Sequence, residues 1–496
     1  MNESYNKCVR LSILAADLQP QMNADSRRSR FDRDPDITLV TEDSRQVTPG
    51  ALFVAIAGSM DGHDFIGDAV NRGAAGVVVE RPESVPPDVP AFVVPSSRRA
   101  LAVLAARIHD HAANDLTVIG FTGTFGKTST SEILRVLLEA AGFEPAVIGS
   151  LGARYRRFSD RGSGLTTPVA PELHAWLARL RGEGARNVIM EVTTHALRLE
   201  RVHGLRFGGG IIAAIMPGEH TDFHRTYEDY VDAKRLFLQY LAADALLVYD
   251  ADNRAARTLA DEADVGRRAG LSLAGRTEGP DDVAIGDVTL DPEGALFTLR
   301  GERLRSSLLG RAHVRNVGLA LTYALAAGVK PSVARDVVAS LTPLRRRMER
   351  YEVDGRVVLD DTAGHPDSLE AAFEAAAVLP HARLWVAYAI RGNRGDDINR
   401  RNATTLARLT ALHGASRVFL TAAADVVGPH DRATADEIDA ARQTFLERGG
   451  RADWHDALGD AMNELAARAT AGDLILLLGA QGMNEGKRLL TTSSSP

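Results

Sequence analysis

An apolar run over residues 116–122 passes directly into Gly123-Thr124-Phe125-Gly126-Lys127-Thr128-Ser129-Thr130. An apolar stripe at Ile133, Leu134, Leu137, Leu138 and Ala141 follows, and Gly142 ends it. Strand, glycine loop and amphipathic helix in that order commit this stretch to an α/β unit. They also prescribe a ligand. Gly123 and Gly126 let main-chain N–H groups close on phosphate oxygens, Thr124 and Ser129 complete the lining, and the helix start favours an anion. Lys127 supplies a point charge and the Thr128 hydroxyl a hard oxygen for magnesium. The spacing is G-x-x-G-K-T-S, with Phe121 where the general nucleotide loop G-x-x-x-x-G-K-[ST] has its first glycine. No N-K-x-D motif is present to read guanine, so the expected ligand is ATP with Mg2+.

Similar short apolar runs recur at residues 187–192, 211–216, 384–389, 417–421 and 474–478, separated by helical patterns, as in α/β layers around parallel strands. The chain has 496 residues, and at ~100–200 residues per domain this predicts about three domains. A proline-rich segment at 82–95 precedes a helix expected over 99–113, and LTPLRRRMER at 341–350 leads to a strand expected at 356–360. The predicted domains are therefore 1–113, a central parallel-sheet ATPase domain at 114–344, and 345–496. The charge run at 25–35 reads as a solvated loop, and the tail TTSSSP as disordered.

Composition narrows the partners. With 58 basic and 65 acidic residues and a net charge of -7, the chain has no cationic surplus for nucleic acid. Its one cysteine, Cys8, excludes an intramolecular disulfide and a cysteine-cluster metal site. The N-terminus lacks an apolar signal core, and no apolar stretch is long enough to span a membrane. A cytoplasmic monomer or weak homo-oligomer acting on small molecules is expected.

GFTGTFGKTST resembles the T-G-T-N-G-K-T loop of the Mur ligases, with Phe125 in place of asparagine. Asp43-Ser44-Arg45 and the segment 49–80 resemble the UDP-binding N-terminal domain of the branch that extends a UDP-muramoyl dipeptide to a tripeptide. The resemblance implies that Ser44 and Arg45 contact that substrate, although by themselves the two residues fit a surface turn equally well. Thr166-Thr167-Pro168 resembles the family's T-T-P substrate turn, and Glu191-Val192-Thr193-Thr194-His195-Ala196-Leu197 its E-x-S-S-H-A-L. A carboxylate at the carboxyl end of a parallel strand lies where ligands gather, and its oxygens suit magnesium. Glu219 to His224 and YEDYVDAKRLF at 227–237 are similar to D-H-L-D-Y-H and Y-x-x-A-K-x-x-L-F. By that resemblance His220 helps hold a second magnesium, and Lys234 carries a carbamate that makes it an anionic ligand. An unmodified Lys234 is expected to be an exposed cation. His195 and His224 read as ordinary turn or interface histidines. Asn316 would face adenine, Arg347 in Arg347-Met348-Glu349 would meet phosphate, and Asp361 would orient the nucleotide. The same resemblance implies a Rossmann-like C-terminal domain.

Departures concentrate on the acceptor side. Ala214-Ile215 replace the family's threonine and asparagine, Arg346 replaces a glycine, and Gly364 stands in place of a histidine that follows as His365. The C-terminal D-N-P-R has no counterpart near Thr421, and G-K-G-H-E is replaced by Gly479-Ala480-Gln481-Gly482-Met483. Residues 391–397, with Arg391 and Arg394, resemble a loop of the cyanophycin synthetases; the two arginines suit a carboxylate, and a solvated turn fits them nearly as well. The expected reaction transfers the γ-phosphoryl group of ATP to a carboxylate, after which an amine attacks the acyl phosphate. Lys127, Glu191, His220 and Lys234 are the expected catalytic set. A specialised-metabolite ligase with other substrates, and a non-catalytic relative, are the competing expectations.

Overall fold

The computed structural model describes residues 8–18, 34–58, 60–218 and 223–492. Its centre is an eleven-stranded sheet. Ala146–Gly149, Asn187–Glu191, Thr117–Thr122, Phe207–Ile212, Leu241–Asp250, Arg267–Ser272 and Val283–Asp291 lie side by side and parallel. Antiparallel strands extend both edges, Gly152–Tyr155 and Phe158–Asp160 on one and Gly294–Leu299 and Glu302–Ser306 on the other. After Thr117–Thr122 the chain first builds strands on one side, then crosses to Phe207–Ile212 on the other. The carboxyl end of Thr117–Thr122 is thus a topological switch point, the crevice where open α/β sheets bind ligands.

A four-stranded parallel sheet, Leu39–Thr41, Ala51–Val54, Gly76–Val79 and Ala91–Val93, precedes it. A six-stranded sheet follows, with Arg356–Asp361, Leu474–Leu478, Leu384–Ala389, Arg417–Thr421 and Asp453–His455 parallel and Glu349–Val353 antiparallel on one edge. Leu384–Ala389 and Leu474–Leu478 are buried at every residue, as strands covered on both faces must be. The expected α/β class, with parallel sheets and a Rossmann-like C-terminal layer, is observed.

The helix Lys127–Ala140 turns Ile133, Leu134, Leu137 and Leu138 onto the central sheet and against Val314 and Val317 of the helix Arg311–Ala326. Each such side chain contributes about 1.5–3 kcal/mol of burial, enough to hold the helix start rigidly over the switch point.

Several expected boundaries move. The strand placed at 211–216 is Phe207–Ile212, because its first half is Gly208-Gly209-Gly210, which carries no apolar signal. A Cβ on Gly209 would sit 2.0 Å from the Tyr323 hydroxyl, and one on Gly210 2.8 Å from Leu241, so close packing dictates the glycines. The helix expected over 99–113 is Ser97–Ile108, started by the Ser96 hydroxyl accepting from Arg99 N. Thr491 and Thr492 end the helix Gly486–Thr492 instead of opening a disordered tail; residues 493–496, and the charge run over 25–33, lie outside the described residues.

Candidate active site

The phosphate loop stands at the switch point as expected. Gly126 has φ +81° and Gly123 φ +149°, conformations that side chains resist. A Cβ at Gly126 would lie 2.3 Å from the Asn316 amide oxygen, and one at Gly123 2.8 Å from Ala213. No side chain caps the start of Lys127–Ala140, which leaves its first N–H groups for an anion. The Lys127 ammonium folds back on the carbonyls of Gly123 (2.9 Å) and Thr124 (3.2 Å). Thr124 braces the loop: its N–H donates to Ala214 O (2.8 Å), its hydroxyl accepts from Met216 N (2.8 Å), and that hydroxyl lies 3.2 Å from the Tyr230 hydroxyl. Ser129 is buried one turn into the helix.

Glu191 ends the strand next to the loop and is 1 % exposed. The Thr128 hydroxyl donates to its Oε2 at 3.1 Å, Ser150 N to its Oε1 at 2.9 Å, and the Ser150 hydroxyl to Oε2 at 3.3 Å. A hydroxyl and a carboxylate oxygen converging beside a phosphate loop form the donor set a hard dication takes, so these residues fit magnesium. Lys234, in Tyr227–Arg235, is 1 % exposed, which corrects the exposed cation expected for the unmodified side chain. Its ammonium donates to Gly123 O (3.0 Å) and Thr122 Oγ1 (3.4 Å), and lies 4.8 Å from the centre of the Tyr230 ring. His220 lies outside the described residues. His224 pairs with Thr194 (3.0 Å) and Asp229 (3.4 Å), with burial lowering its pKa, and His195 stacks on Phe223 at 4.1 Å. Among the described residues no group of three or more His, Cys, Asp or Glu side chains could hold a metal.

A cavity of about 660 Å3 opens beside the four-stranded sheet. Ser44 and Arg45 line it, together with Glu42, Phe65, Arg98, Leu101, Val169, Ala170 and Arg201. Ser44 is buried, whereas the Arg45 guanidinium bends back onto Asp43 at 2.8 Å. Thr166 and Thr167 connect the cavity with the phosphate loop. The Thr167 hydroxyl donates to Glu191 O (2.9 Å), its carbonyl accepts from Arg201 on the cavity wall (2.9 Å), and Thr166 lies 3.1 Å from the Ser150 hydroxyl.

The C-terminal residues approach the loop from the other side. Asp361 ends its strand and accepts from Met348 N at 2.8 Å; burial pushes its carboxyl up to about 6, against the pull of Arg347. His365 donates to Pro217 O (3.0 Å), and its ring lies 4.9 Å from that of Phe125, so the residue in the family's asparagine position is an inter-sheet contact. Arg391 donates to Gly364 O at 3.2 Å. The main-chain N–H groups of Asn393, Arg394 and Gly395 close on the Glu437 carboxylate at 3.1, 2.7 and 2.7 Å, so the nest of this loop already holds an internal anion. The Asn316 amide rests on Gly126.

Sequence reading missed Ser150, Tyr230, Glu42 and the role of Arg346. Ser150 carried one available signal, its place just after a buried apolar run, and Tyr230 another, one helical turn before Lys234. Arg346 has φ +55°. Its buried guanidinium bonds Asp360 (2.9 Å), Ala480 O (2.7 Å) and Asn484 Oδ1 (2.7 Å), replacing a flexible glycine with a rivet through the altered 479–484 loop.

Three family descriptions match in succession: "Mur ligase family, catalytic domain" over residues 36–109, "Mur ligase middle domain" over 121–324, and "Mur ligase, glutamate ligase domain" over 346–481. A UDP-N-acetylmuramoyl-L-alanyl-D-glutamate–2,6-diaminopimelate ligase from Chlorobaculum tepidum is 35% identical over 463 residues, covering 89% of this chain and 87% of the relative. The enzyme of the same name from Xylella fastidiosa is 35% identical over 378 residues, 73% of this chain and 74% of its own. Among solved structures, a MurF ligase from Thermotoga maritima in complex with ADP superposes with a TM-score of 0.63 at 20% identity, covering 92% of this chain and 97% of that one. A UDP-N-acetylmuramoyl-L-alanyl-D-glutamate–2,6-diaminopimelate ligase gives a TM-score of 0.65 at 23% identity, over 95% and 99%. These relatives and family matches make the chain an ATP-dependent, ADP-forming acid–amino-acid ligase that works with Mg2+. The chain belongs to the Mur ligase family.

Proposed function

We propose that this ligase activates the terminal carboxylate of a UDP-muramoyl dipeptide as an acyl phosphate and joins it to an amine. One observation carries the donor assignment: the 166–170 segment runs from the wall of the 660 Å3 cavity, at Val169 and Ala170, to Glu191 beside the phosphate loop. A long substrate anchored in the cavity would then present its far end to the transferred phosphate. The names of the relatives, each a ligase of such a dipeptide, support the same donor.

When bound, magnesium offsets charge on the transferring phosphoryl group. Thr128, Glu191, His220 and a carbamylated Lys234 would hold it. Gly123, Thr124, Gly126, Lys127, Thr128 and Ser129 would grip the phosphates, while Asn316, Arg347 and Asp361 orient the nucleotide. Ser44, Arg45, Thr166 and Thr167 would hold the donor, and Arg391 and Arg394 a carboxylate of the acceptor. The domains would be 1–113, 114–344 and 345–496. Closure of the last against Phe125 excludes water, which protects an acyl phosphate from hydrolysis.

The amine differs from that of the relatives. Where the family carries D-N-P-R and G-K-G-H-E, Ala423, Gly479 and Gly482 pack so closely on Ala389 that a Cβ on Gly482 would lie 2.9 Å from the Ala389 Cβ and 3.1 Å from that of Ala423. The arginine of the D-N-P-R motif has no counterpart in that turn. We place the protein in the cytoplasm as a monomer or weak homo-oligomer. Its exposed Cys8 suits a reducing compartment, and no described helix is long and apolar enough to cross a membrane. The test is phosphate release and product mass spectrometry with ATP, UDP-muramoyl dipeptide and a panel of amino acids. A new amide with at least one amine other than diaminopimelate is expected; silence across the panel would refute the donor.

A further inference from the structure

The large cavity holds one acid that the reaction above leaves unused. Glu42 follows the strand Leu39–Thr41 and faces the same space as Ile56, Phe65 and Leu101. The other carboxylates on that wall are committed: Asp43 to Arg45 at 2.8 Å, Asp68 to Arg72 at 3.1 Å, and Glu200 to Ser96 at 2.9 Å and Arg99 at 2.6 Å. The nearby arginines are committed too, Arg98 to Ala57 O at 3.0 Å and Arg201 to Thr167 O at 2.9 Å. Glu42 makes no hydrogen bond to another side chain and enters no ion pair among the described residues. Burial pushes its pKa up, with Arg201 and Arg98 pulling the other way. In its neutral form such a carboxyl offers an acceptor and a donor side by side.

That pair matches one chemical partner well. The imide edge of a uracil-type base presents an N–H beside a carbonyl oxygen, so a neutral carboxyl can accept the first and donate to the second. An ionised carboxylate would set its second oxygen against the carbonyl. The apolar groups Ile56, Phe65 and Leu101 suit the faces of a flat ring.

We propose that Glu42 determines the base specificity of this cavity by pairing its carboxyl with the imide edge of the pyrimidine on a nucleoside-diphosphate-linked donor. This rests on the reading that the cavity takes the UDP end of the substrate.

Calorimetric titration of the full chain with UDP and with N3-methyl-UDP, which lacks the imide N–H, tests it. Wild type is expected to prefer UDP by about tenfold or more, because a site built around a hydrogen bond rejects the analogue that lacks it. Glu42→Gln, which keeps an acceptor and a donor, retains most of that preference, and Glu42→Leu binds the two ligands alike. Equal binding by wild type, a preference that survives in Glu42→Leu, or one lost in Glu42→Gln overturns the proposal. Wild type that binds ATP but not UDP overturns the reading of the cavity itself. ATP binding by each variant confirms that it is folded.

Discussion

Lys234 is the residue whose environment most needs explaining. A lysine 1 % exposed, with its ammonium beside the Thr122 hydroxyl and the Gly123 carbonyl, is desolvated where phosphate and magnesium chemistry is expected. Reaction with carbon dioxide would turn it into an anionic oxygen ligand, which suits a magnesium site better than a cation does. Protein equilibrated with carbon-13 bicarbonate should show a carbamate resonance that Lys234→Ala lacks, and that variant should lose ~100-fold or more in kcat. Asp361 makes a second residue-level prediction, with a definite sign. Its folded pKa is raised from 3.8 to about 6 by burial, so the folded chain holds this proton longer than the unfolded chain. Stability from this group is full below about 4 and falls as pH rises through about 6, by on the order of 2–3 kcal/mol. Denaturant titrations should show wild type losing stability relative to Asp361→Asn across that window; parallel curves would contradict the assigned burial.

Two short elements show how local backbone and site chemistry are joined. The phosphate loop depends on Gly126, where φ is +81° and the Asn316 amide occupies the space a Cβ would need. Gly126→Ala should cost about 1–2 kcal/mol of backbone strain, force Asn316 aside, and weaken ATP binding more than it lowers the melting temperature. Calorimetry with ATP and thermal unfolding separate the two effects. The 479–484 loop depends on Arg346. Arg346→Met would strand the buried Asp360, whose carboxyl burial already pushes up and Arg346 pulls down, and should destabilise the protein by about 3–5 kcal/mol. Adding Asp360→Asn should recover part of that loss, since the two side chains act as a pair.

These elements also mark what a sequence can and cannot tell. The strand–loop–helix around Lys127 was legible because its apolar period and glycines are local signals. Glu191 was legible because it ends a run of buried residues. Phe207–Ile212 was half hidden, since its glycines answer to Tyr323 and Leu241, more than thirty residues away in sequence. Arg346 and Glu42 were not legible at all. Nothing in a charged residue's neighbours announces that it will be buried against a loop 134 residues on, or left facing a cavity.

At the scale of the molecule, three sheets bring three parts of one reaction together. The first borders the cavity, the second carries the phosphate loop, and the third reaches the loop where His365 meets Phe125. In the proposed reaction the path from Val169 along Thr167 to Glu191 would give a bound donor its direction, and the divergent turns at Ala423 and Gly479 would face the acceptor. The step at the centre of this chemistry is activation of a carboxylate by phosphoryl transfer. Supplying the donor with its reacting carboxylate labelled with oxygen-18, together with ATP and an accepted amine, and then weighing the released phosphate, tests that step most directly. One labelled oxygen in each phosphate and one retained in each amide carbonyl is the expected result. Unlabelled phosphate, or release of AMP and pyrophosphate in place of ADP, would contradict it.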